Sequence, residues 1–109
     1  MIDHLSIGLP EGFVPPDASV APATCVAFTE GPAAAADGTV YFSDTYGNRI
    51  RKISPQGIVS TVAGTGKAGL RDGPALAAEL NFPRGLVLWK KTLLVADFNN
   101  HVVRKIELK

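Results

Sequence analysis

Apolar and polar residues alternate along several short stretches of this chain, and turn-forming residues separate these stretches. A period of two is typical of half-buried β-strands. We predict strands over residues 23–28, 39–44, 49–53 and 58–63. The pair Asp37-Gly38 favours a hairpin over a helix at the preceding alanine run.

The second half of the chain repeats the first at a constant offset of 53 residues. Residues 28–53 align with residues 81–106 without gaps, and the copies of the turn-strand unit share five identities: Thr39/Thr92, Asp44/Asp97, Arg51/Arg104, Lys52/Lys105 and Ile53/Ile106. Most substitutions keep the residue type, so we predict strands over residues 85–89, 92–97 and 102–108 as well. A repeat of about 40 to 50 residues is typical of propellers and solenoids.

The strand count predicts an all-β fold, a β-propeller with two four-stranded blades per chain. The count takes three strands from each copy, although only two of the first copy have stated bounds, and one more each from residues 23–28 and 58–63. Because the segment 23–28 precedes the first copy, we expect it to complete the second blade, as a strand from the other end of a propeller does.

Two segments fall outside this pattern. Residues 1–22 contain four prolines and predict an irregular N-terminal arm, which leaves residues 23–109 for the two blades. Residues 64–81 form an insert between the blades, in which residues 74–80 predict about two helical turns, with Pro74 at the start.

Composition narrows the classes of function. The chain has a net charge of +1, so no field of one sign points to nucleic acid or to a membrane. Cys25 is the only cysteine, which excludes an internal disulfide and predicts a small buried residue. We see no signal peptide and no transmembrane segment in the sequence, and we expect a soluble protein of unknown location.

Two stretches carry a family signature. Residues 82–86 (FPRGL), followed by residues 94–106 (LVADFNNHVVRKI), resemble the NHL repeat. Residues 28–32 (FTEGP) and 40–44 (VYFSD) are similar to the first blade of the senescence-marker and gluconolactonase family. Both resemblances imply a six-bladed propeller, and neither alone implies an activity.

A ring of six blades needs about 240 to 280 residues, more than this chain supplies. Two blades alone expose apolar faces and unpaired strand edges. We therefore expect three copies to close one ring as a homotrimer, each donating residues 23–28 to a neighbour. The alternative is that the sequence is a fragment of a longer propeller.

Glu30 is the sharpest candidate for chemistry. The resemblance to gluconolactonases implies that the glutamate of the E-G-P motif is a divalent-metal ligand, for Ca²⁺ or Zn²⁺, facing the central channel. Glu30 aligns with Pro83 in the second copy, so no further ligand recurs there. A metal-dependent lactonase or hydrolase that uses Glu30 is accordingly the alternative function.

Residues 64–69 match the G-x-G-x-x-G pattern of a dinucleotide-binding loop. Pro74 stands where the following helix should already run, and no acid follows the next strand to bind a ribose. We interpret the segment as an interblade loop and assign no cofactor to it.

Candidate binding residues lie in the turns: Tyr46, Arg49, Phe98 and His101. Aromatic rings beside basic residues are typical of single-stranded RNA surfaces, and a set of basic residues recurs at equivalent positions: Arg49, Arg51, Lys52, Arg104, Lys105 and Lys109. Such residues on a strand more often form a solvated face. We predict structural roles for Asp44 and Asp97 in their turns, and core or interface packing for Trp89.

No nucleophile–base pair is visible, so the sequence favours a non-enzyme. The prediction is an oligomeric scaffold or binding module of the NHL type. Its expected partners are copies of itself and a protein or small-molecule ligand, whereas a nucleic acid or a membrane is not expected.

Overall fold

The computed structural model describes residue 20 and residues 29–109, and within them the chain forms two antiparallel sheets. The first sheet contains β1 (Thr29–Ala34), β2 (Val40–Asp44), β3 (Arg49–Ile53) and β4 (Val59–Ala63), paired in chain order. The second sheet contains β5 (Pro83–Trp89), β6 (Thr92–Asp97) and β7 (Val102–Glu107), also paired in chain order. The all-β prediction is confirmed, whereas the predicted strand over 23–28 and the arm over 1–22 lie outside the described residues, Val20 apart.

Two local features differ from the predictions. β1 was not among the predicted strands, and it runs through Gly31-Pro32 because a bulge between Glu30 and Ala33 takes up the irregular backbone. The helix expected over residues 74–80 is a single 3-10 turn over Ala75–Ala77. Ala78 is extended, and the chain then forms a bridge between Glu79 and Arg71, so the insert folds back on itself instead of continuing the helix.

Strand register shows that the two copies are not related by one offset. Ala33 pairs with Tyr41 in the first sheet, and Val87 pairs with Leu94 in the second. Because Tyr41 and Leu94 differ by 53 residues but Ala33 and Val87 differ by 54, the first hairpin is one residue longer. The ungapped alignment is therefore wrong before this hairpin.

The corrected register changes two equivalences. Glu30 corresponds to Arg84 instead of Pro83, and Gly31 corresponds to Gly85. Both copies carry a bulge at this place, which supports the new alignment.

The hydrophobic core lies between the two sheets. It contains side chains from both copies and from the insert: Ile50, Ala63, Leu80, Leu86, Leu93, Val95 and Ile106. Strands β1 and β5 lie close together at Gly31, where a Cβ would be 2.9 Å from the backbone nitrogen of Leu86. The absence of a side chain at Gly31 permits this contact.

Within the part of the chain that the structure describes, no helix has the length and apolar character needed to cross a membrane.

Candidate binding surface

Three aromatic rings meet at one end of the two sheets. Tyr46 lies in the turn between β2 and β3, Phe82 precedes β5, and Phe98 follows β6. The rings of Tyr46 and Phe82 meet edge to face with centroids 5.1 Å apart, and those of Phe82 and Phe98 lie 6.2 Å apart. Tyr46 is 59% exposed and Phe98 is 51% exposed. With Arg84 these residues form what we call the loop-end cluster.

Phe82 occupies the centre of this cluster in an unusual backbone conformation. Its φ angle is 61°, in the left-handed region that bulky residues rarely adopt. The side-chain oxygen of Asn48 accepts the Phe82 N–H at 2.8 Å and helps to hold the backbone there. Backbone strain of this kind concentrates at functional sites.

Arg84 adds a cation to the aromatic surface. Its guanidinium carbon lies 4.9 Å from the centre of the Phe98 ring, within the range of a cation–π contact. Exposed rings beside a guanidinium can bind a flat or apolar group by stacking and packing. The arrangement suits binding.

The structure divides the predicted binding residues into two groups. Tyr46 and Phe98 join the loop-end cluster, and His101 lines a shallow depression beside Phe98. Arg49 instead faces the insert, where its Nη2 donates to the Thr65 carbonyl at 3.4 Å. The equivalence of Asn48 and His101 is visible in the backbone, since both have a φ near the left-handed value, 55° and 58°.

Phe82 and Arg84 are the members of the cluster that the sequence reasoning missed. Phe82 was noted only as part of a family signature, and its contact with Tyr46 depends on the packing of one sheet against the other. The available signal was an aromatic residue at the start of the second copy, next to Pro83.

The two aspartates hold strand ends together, as predicted for a structural role. Asp97 is fully buried and accepts the Asn81 N–H at 2.8 Å, the Asn100 amide at 2.7 Å and Arg104 Nη1 at 2.7 Å. Asp44 forms the equivalent ion pair with Arg51, in which Oδ2 lies 3.5 Å from the arginine Nη1.

The recurring basic residues were expected to form a solvated face, but these ion pairs draw Arg51 and Arg104 out of it. The side chain of Arg104 is only 10% exposed and that of Arg51 is 24% exposed, because each points at its buried aspartate. Arg104 also donates to the Glu79 and Arg71 carbonyls and to Asp72, so it fastens the insert to β7. Neither arginine is placed to contact RNA.

Three of the backbone amides of residues 64–69 are bonded within the insert and do not face a phosphate. The N–H groups of Gly64, Thr65 and Gly69 donate to carbonyl groups of the insert at 2.9, 3.0 and 3.1 Å. The helix that would follow a phosphate loop is absent here, as the 3-10 turn has three residues. The segment is a loop between the sheets.

Glu30 pairs with Ser43 through the backbone of β1, and its metal role stays a prediction. Among residues 29–109 the structure brings together no group of three or more His, Cys, Asp or Glu side chains. Trp89 does not lie in the core of the single chain, because its ring is 61% exposed and carries Lys90 4.8 Å from its centre, and the predicted interface packing stays a prediction.

Two antiparallel sheets that are built from one repeated unit and packed face to face define the class, a β-propeller arrangement of neighbouring blades. Sequence relatives point the same way. The chain is 33% identical over 67 residues to NHL repeat-containing protein 2 of Gallus gallus and 31% identical over 67 residues to that of Bos taurus, covering 62% of this chain and 9% of each relative.

A further relative is more similar in sequence. The chain is 45% identical over 74 residues to Protein SUPPRESSOR OF QUENCHING 1, chloroplastic, of Arabidopsis thaliana, covering 66% of this chain and 7% of that protein. The chain thus spans less than a tenth of each of these curated relatives. No family model matches it.

Solved structures from Bacteroides thetaiotaomicron share the fold. A protein of unknown function superposes with a TM-score of 0.73 at 30% identity, covering 77% of this chain and 22% of that one. An auxiliary nutrient binding protein gives 0.66 at 28% identity, covering 72% and 22%. Relatives and structures together support a propeller of the NHL type, and the gluconolactonase resemblance stays a prediction.

Proposed function

We propose that this chain is a β-propeller module that associates head to tail with copies of itself and acts as a binding scaffold without catalytic machinery of its own. The observation that carries the proposal is a face of the second sheet that nothing in residues 29–109 covers and that is largely apolar, with the Lys105–Glu107 ion pair along β7. We call it the open face, and its residues are Val87, Trp89, Leu94, Ala96 and Val103.

The repeat supports a specific occupant for the open face. Leu94 corresponds to Tyr41 and Val103 to Ile50, and both counterparts pack into or against the core between the sheets. Ala96 corresponds to Ser43, which is fully buried and donates its hydroxyl to the Arg84 carbonyl of the second sheet. In the first copy, therefore, Tyr41, Ser43 and Ile50 form the face that packs against the second sheet.

By the same packing, the open face fits the first sheet of another copy. Such a contact joins different surfaces of two identical chains, and it closes into a ring when the rotation allows. The resemblance to six-bladed propellers favours a ring of three copies. Apolar strand faces that pack at about 10 Å also give the association its driving force.

The test is the solution mass, measured by multi-angle light scattering on a size-exclusion column. We expect three chain masses for the natural sequence and a loss of assembly for Val103→Asp, which places a charge on the open face. Ile58→Asp is the matched control, because Ile58 is equally exposed but lies in the turn before β4. A stable monomer or dimer at micromolar concentration contradicts the proposal.

The binding part of the proposal assigns ligand contact to the loop-end cluster. Exposed rings held by a strained backbone and a cation–π contact support this assignment. Aromatic fragments added to the ¹⁵N-labelled protein should shift the amide signals of Tyr46, Phe82 and Phe98. Tyr46→Ala should weaken these shifts, whereas unchanged spectra with every fragment contradict the assignment.

The alternative, a metal-dependent hydrolase using Glu30, gains no support from the corrected repeat. Arg84 occupies the equivalent position of the second copy, so this position supplies one carboxylate per chain instead of two. Titration calorimetry of Ca²⁺ and Zn²⁺ into the natural protein and into Glu30→Gln tests this alternative. Binding heat that appears in the natural protein and is absent in the variant establishes a Glu30 site.

A further inference from the structure

Among the described residues, no strand pairs with the outer edge of the second sheet, whereas the first sheet has a fourth strand at this edge. In the first sheet β3 pairs with β2 on one side and with β4 on the other. Within residues 29–109 β7 pairs with β6 alone. A cavity of about 290 Å³ lies beside β7, with Leu80 and Ile106 in its lining. The edge therefore has free backbone groups and a partly apolar border.

Residues 23–28 cannot be the fourth strand of a neighbouring copy's second sheet, because too little chain separates them from β1. β1 begins at Thr29 and is the inner strand, in contact with β5. A fourth strand lies three strand spacings from the inner one, about 14 Å at about 4.8 Å each. At about 3.5 Å per residue, the connection from Phe28 to Thr29 cannot cross that distance.

The link between the two sheets shows how many residues connect an outer strand to the next inner strand. Residues 64–82 connect the outer strand β4 to the inner strand β5. A link of the same length that ends before Thr29 spans residues 10–28, and a strand as long as β4 before it spans residues 5–9.

The sequence agrees with this assignment at the corrected offset of 54. Five identical residues recur along the strand and the link, and a sixth follows in β1 and β5: Ser6/Ser60, Gly12/Gly66, Ala21/Ala75, Ala23/Ala77, Phe28/Phe82 and Gly31/Gly85. Residues 5–9 read Leu-Ser-Ile-Gly-Leu, in which large apolar residues occupy every second position. Alternation of this kind predicts a strand with one buried face.

We propose that residues 5–9 of one copy add to the free edge of β7 in another copy and complete its second sheet. The inference rests on the proposed function and replaces residues 23–28 as the donor. Strand addition to an exposed edge derives its affinity from main-chain hydrogen bonds and its register from alternate side chains. From the pairing of β3 with β4, the expected register sets Ser6 opposite Lys105 and Ile7 opposite Arg104.

The donor strand and the open face specify the same neighbour. The link 64–82 carries the chain forward by one sheet, so an equal link 10–28 places residues 5–9 on the sheet that precedes β1–β4. That preceding sheet is the second sheet of another copy, with its open face against the donor's first sheet. One head-to-tail contact thus covers both exposed features.

Disulfide trapping between two variants tests the donor. All chains carry Cys25→Ala, and a chain with Ser6→Cys is mixed with a chain with Lys105→Cys under mild oxidation. Opposite residues on neighbouring antiparallel strands have Cα atoms about 4.5 to 5.5 Å apart, which permits a disulfide. We expect a covalent dimer on a non-reducing gel.

Two matched mixtures sharpen the test. Ser6→Cys with Lys52→Cys should not crosslink, because β4 already pairs with Lys52 through Ser60. Thr24→Cys with Lys105→Cys tests the rival donor, since residues 24–27 resemble 60–63, and should not crosslink either. A crosslink through Thr24, or equal yields in all three mixtures, overturns the proposal.

Light scattering of the Cys25→Ala protein separates this failure from a failure of the assembly. An assembled protein that forms no Ser6–Lys105 crosslink retains the proposed function and rejects the donor strand. A monomeric protein rejects both.

Discussion

The two sheets contain the same repeated unit in different surroundings. Ile50 in the first sheet is fully buried, whereas its counterpart Val103 in the second sheet is 69% exposed. The same contrast holds for Ser43, which is buried, and Ala96, which is exposed. A position in a repeat protein becomes core or surface according to the neighbour that covers it, because each unit contacts only the adjacent units.

For the buried aspartates the second sheet has the more extensive contacts among the described residues. Asp97 in the second sheet has three hydrogen-bond donors, including the amide of Asn100. At the position of Asn100 the first sheet has Gly47, and Asp44 is joined to Arg51 at 3.5 Å. In the second sheet the insert brings Asn81 and Asp72 to this network.

The largest expected effect comes from breaking the stronger ion pair. Asp97→Asn should lower the free energy of unfolding by about 3–5 kcal/mol, because it leaves Arg104 buried without its main counter-charge. Asp44→Asn should cost less, about 1–2 kcal/mol, because the contact with Arg51 is longer and more exposed. Urea unfolding of both variants measures the difference, and equal losses would contradict the ranking.

Truncation of the buried repeat position should come next. Ile50→Ala should cost about 2–5 kcal/mol, as expected for a large apolar side chain removed from a packed core. Val103→Ala should cost less than about 0.5 kcal/mol at dilutions where the chain is monomeric. The unfolding midpoint of each variant checks this, and a large loss for Val103→Ala in the monomer would contradict the exposure of the open face.

The glycine pair tests how closely the inner strands approach. Gly31→Ala should cost about 2–4 kcal/mol, because its φ of 56° is strained for alanine and the new Cβ meets the backbone of Leu86 and Gly85. Gly85→Ala should be close to neutral, since nothing lies within 4 Å of its Cβ position. Thermal unfolding of the two variants makes the comparison, and similar midpoints would show that β1 and β5 are not in tight contact.

The smallest expected effect on stability concerns the hairpin between β1 and β2, compared with the hairpin between β5 and β6. The backbone N–H of Thr39 donates to Asp37 at 2.9 Å and lowers the pKa of that carboxyl from 3.8, whereas the second copy has a lysine turn in this place. Because the pKa is lower when the chain is folded, the contribution of Asp37 is present above the unfolded pKa and is lost as pH falls through the folded pKa.

Urea unfolding of the natural protein and Asp37→Asn across this range provides the measurement. The two proteins should converge in stability at the acidic end. A constant difference at all pH values would contradict the role of the carboxylate.

Much of the fold could be predicted from local sequence. The strands β2, β3 and β6 fall within one residue of their predicted bounds, because alternation and turn residues specify them locally. The turn over Ala75–Ala77 could not be predicted, since Pro74 and the alanines favour a helix that the bridge between Arg71 and Glu79 interrupts. Tertiary contacts overrode helix propensity at this point.

The candidate site was predicted in part. Tyr46 and Phe98 were recognised as exposed aromatic residues in equivalent turns, but Phe82 links them across two sheets. Trp89 was expected to pack in the core or at a blade interface, and it is exposed in the single chain. Aromatic residues are usually core residues, and only the position of the neighbouring sheet shows that its face is uncovered.

The sequence by itself determined the repeat, the alternation of the strands and the turns between them, because these depend on residues close together in the chain. The tertiary structure decided which copy of each repeated position is buried, where the arginines point and how Glu30 aligns with Arg84. These features depend on strand register and on which sheet covers which face. They are set by contacts between residues far apart in sequence, which a local pattern does not encode.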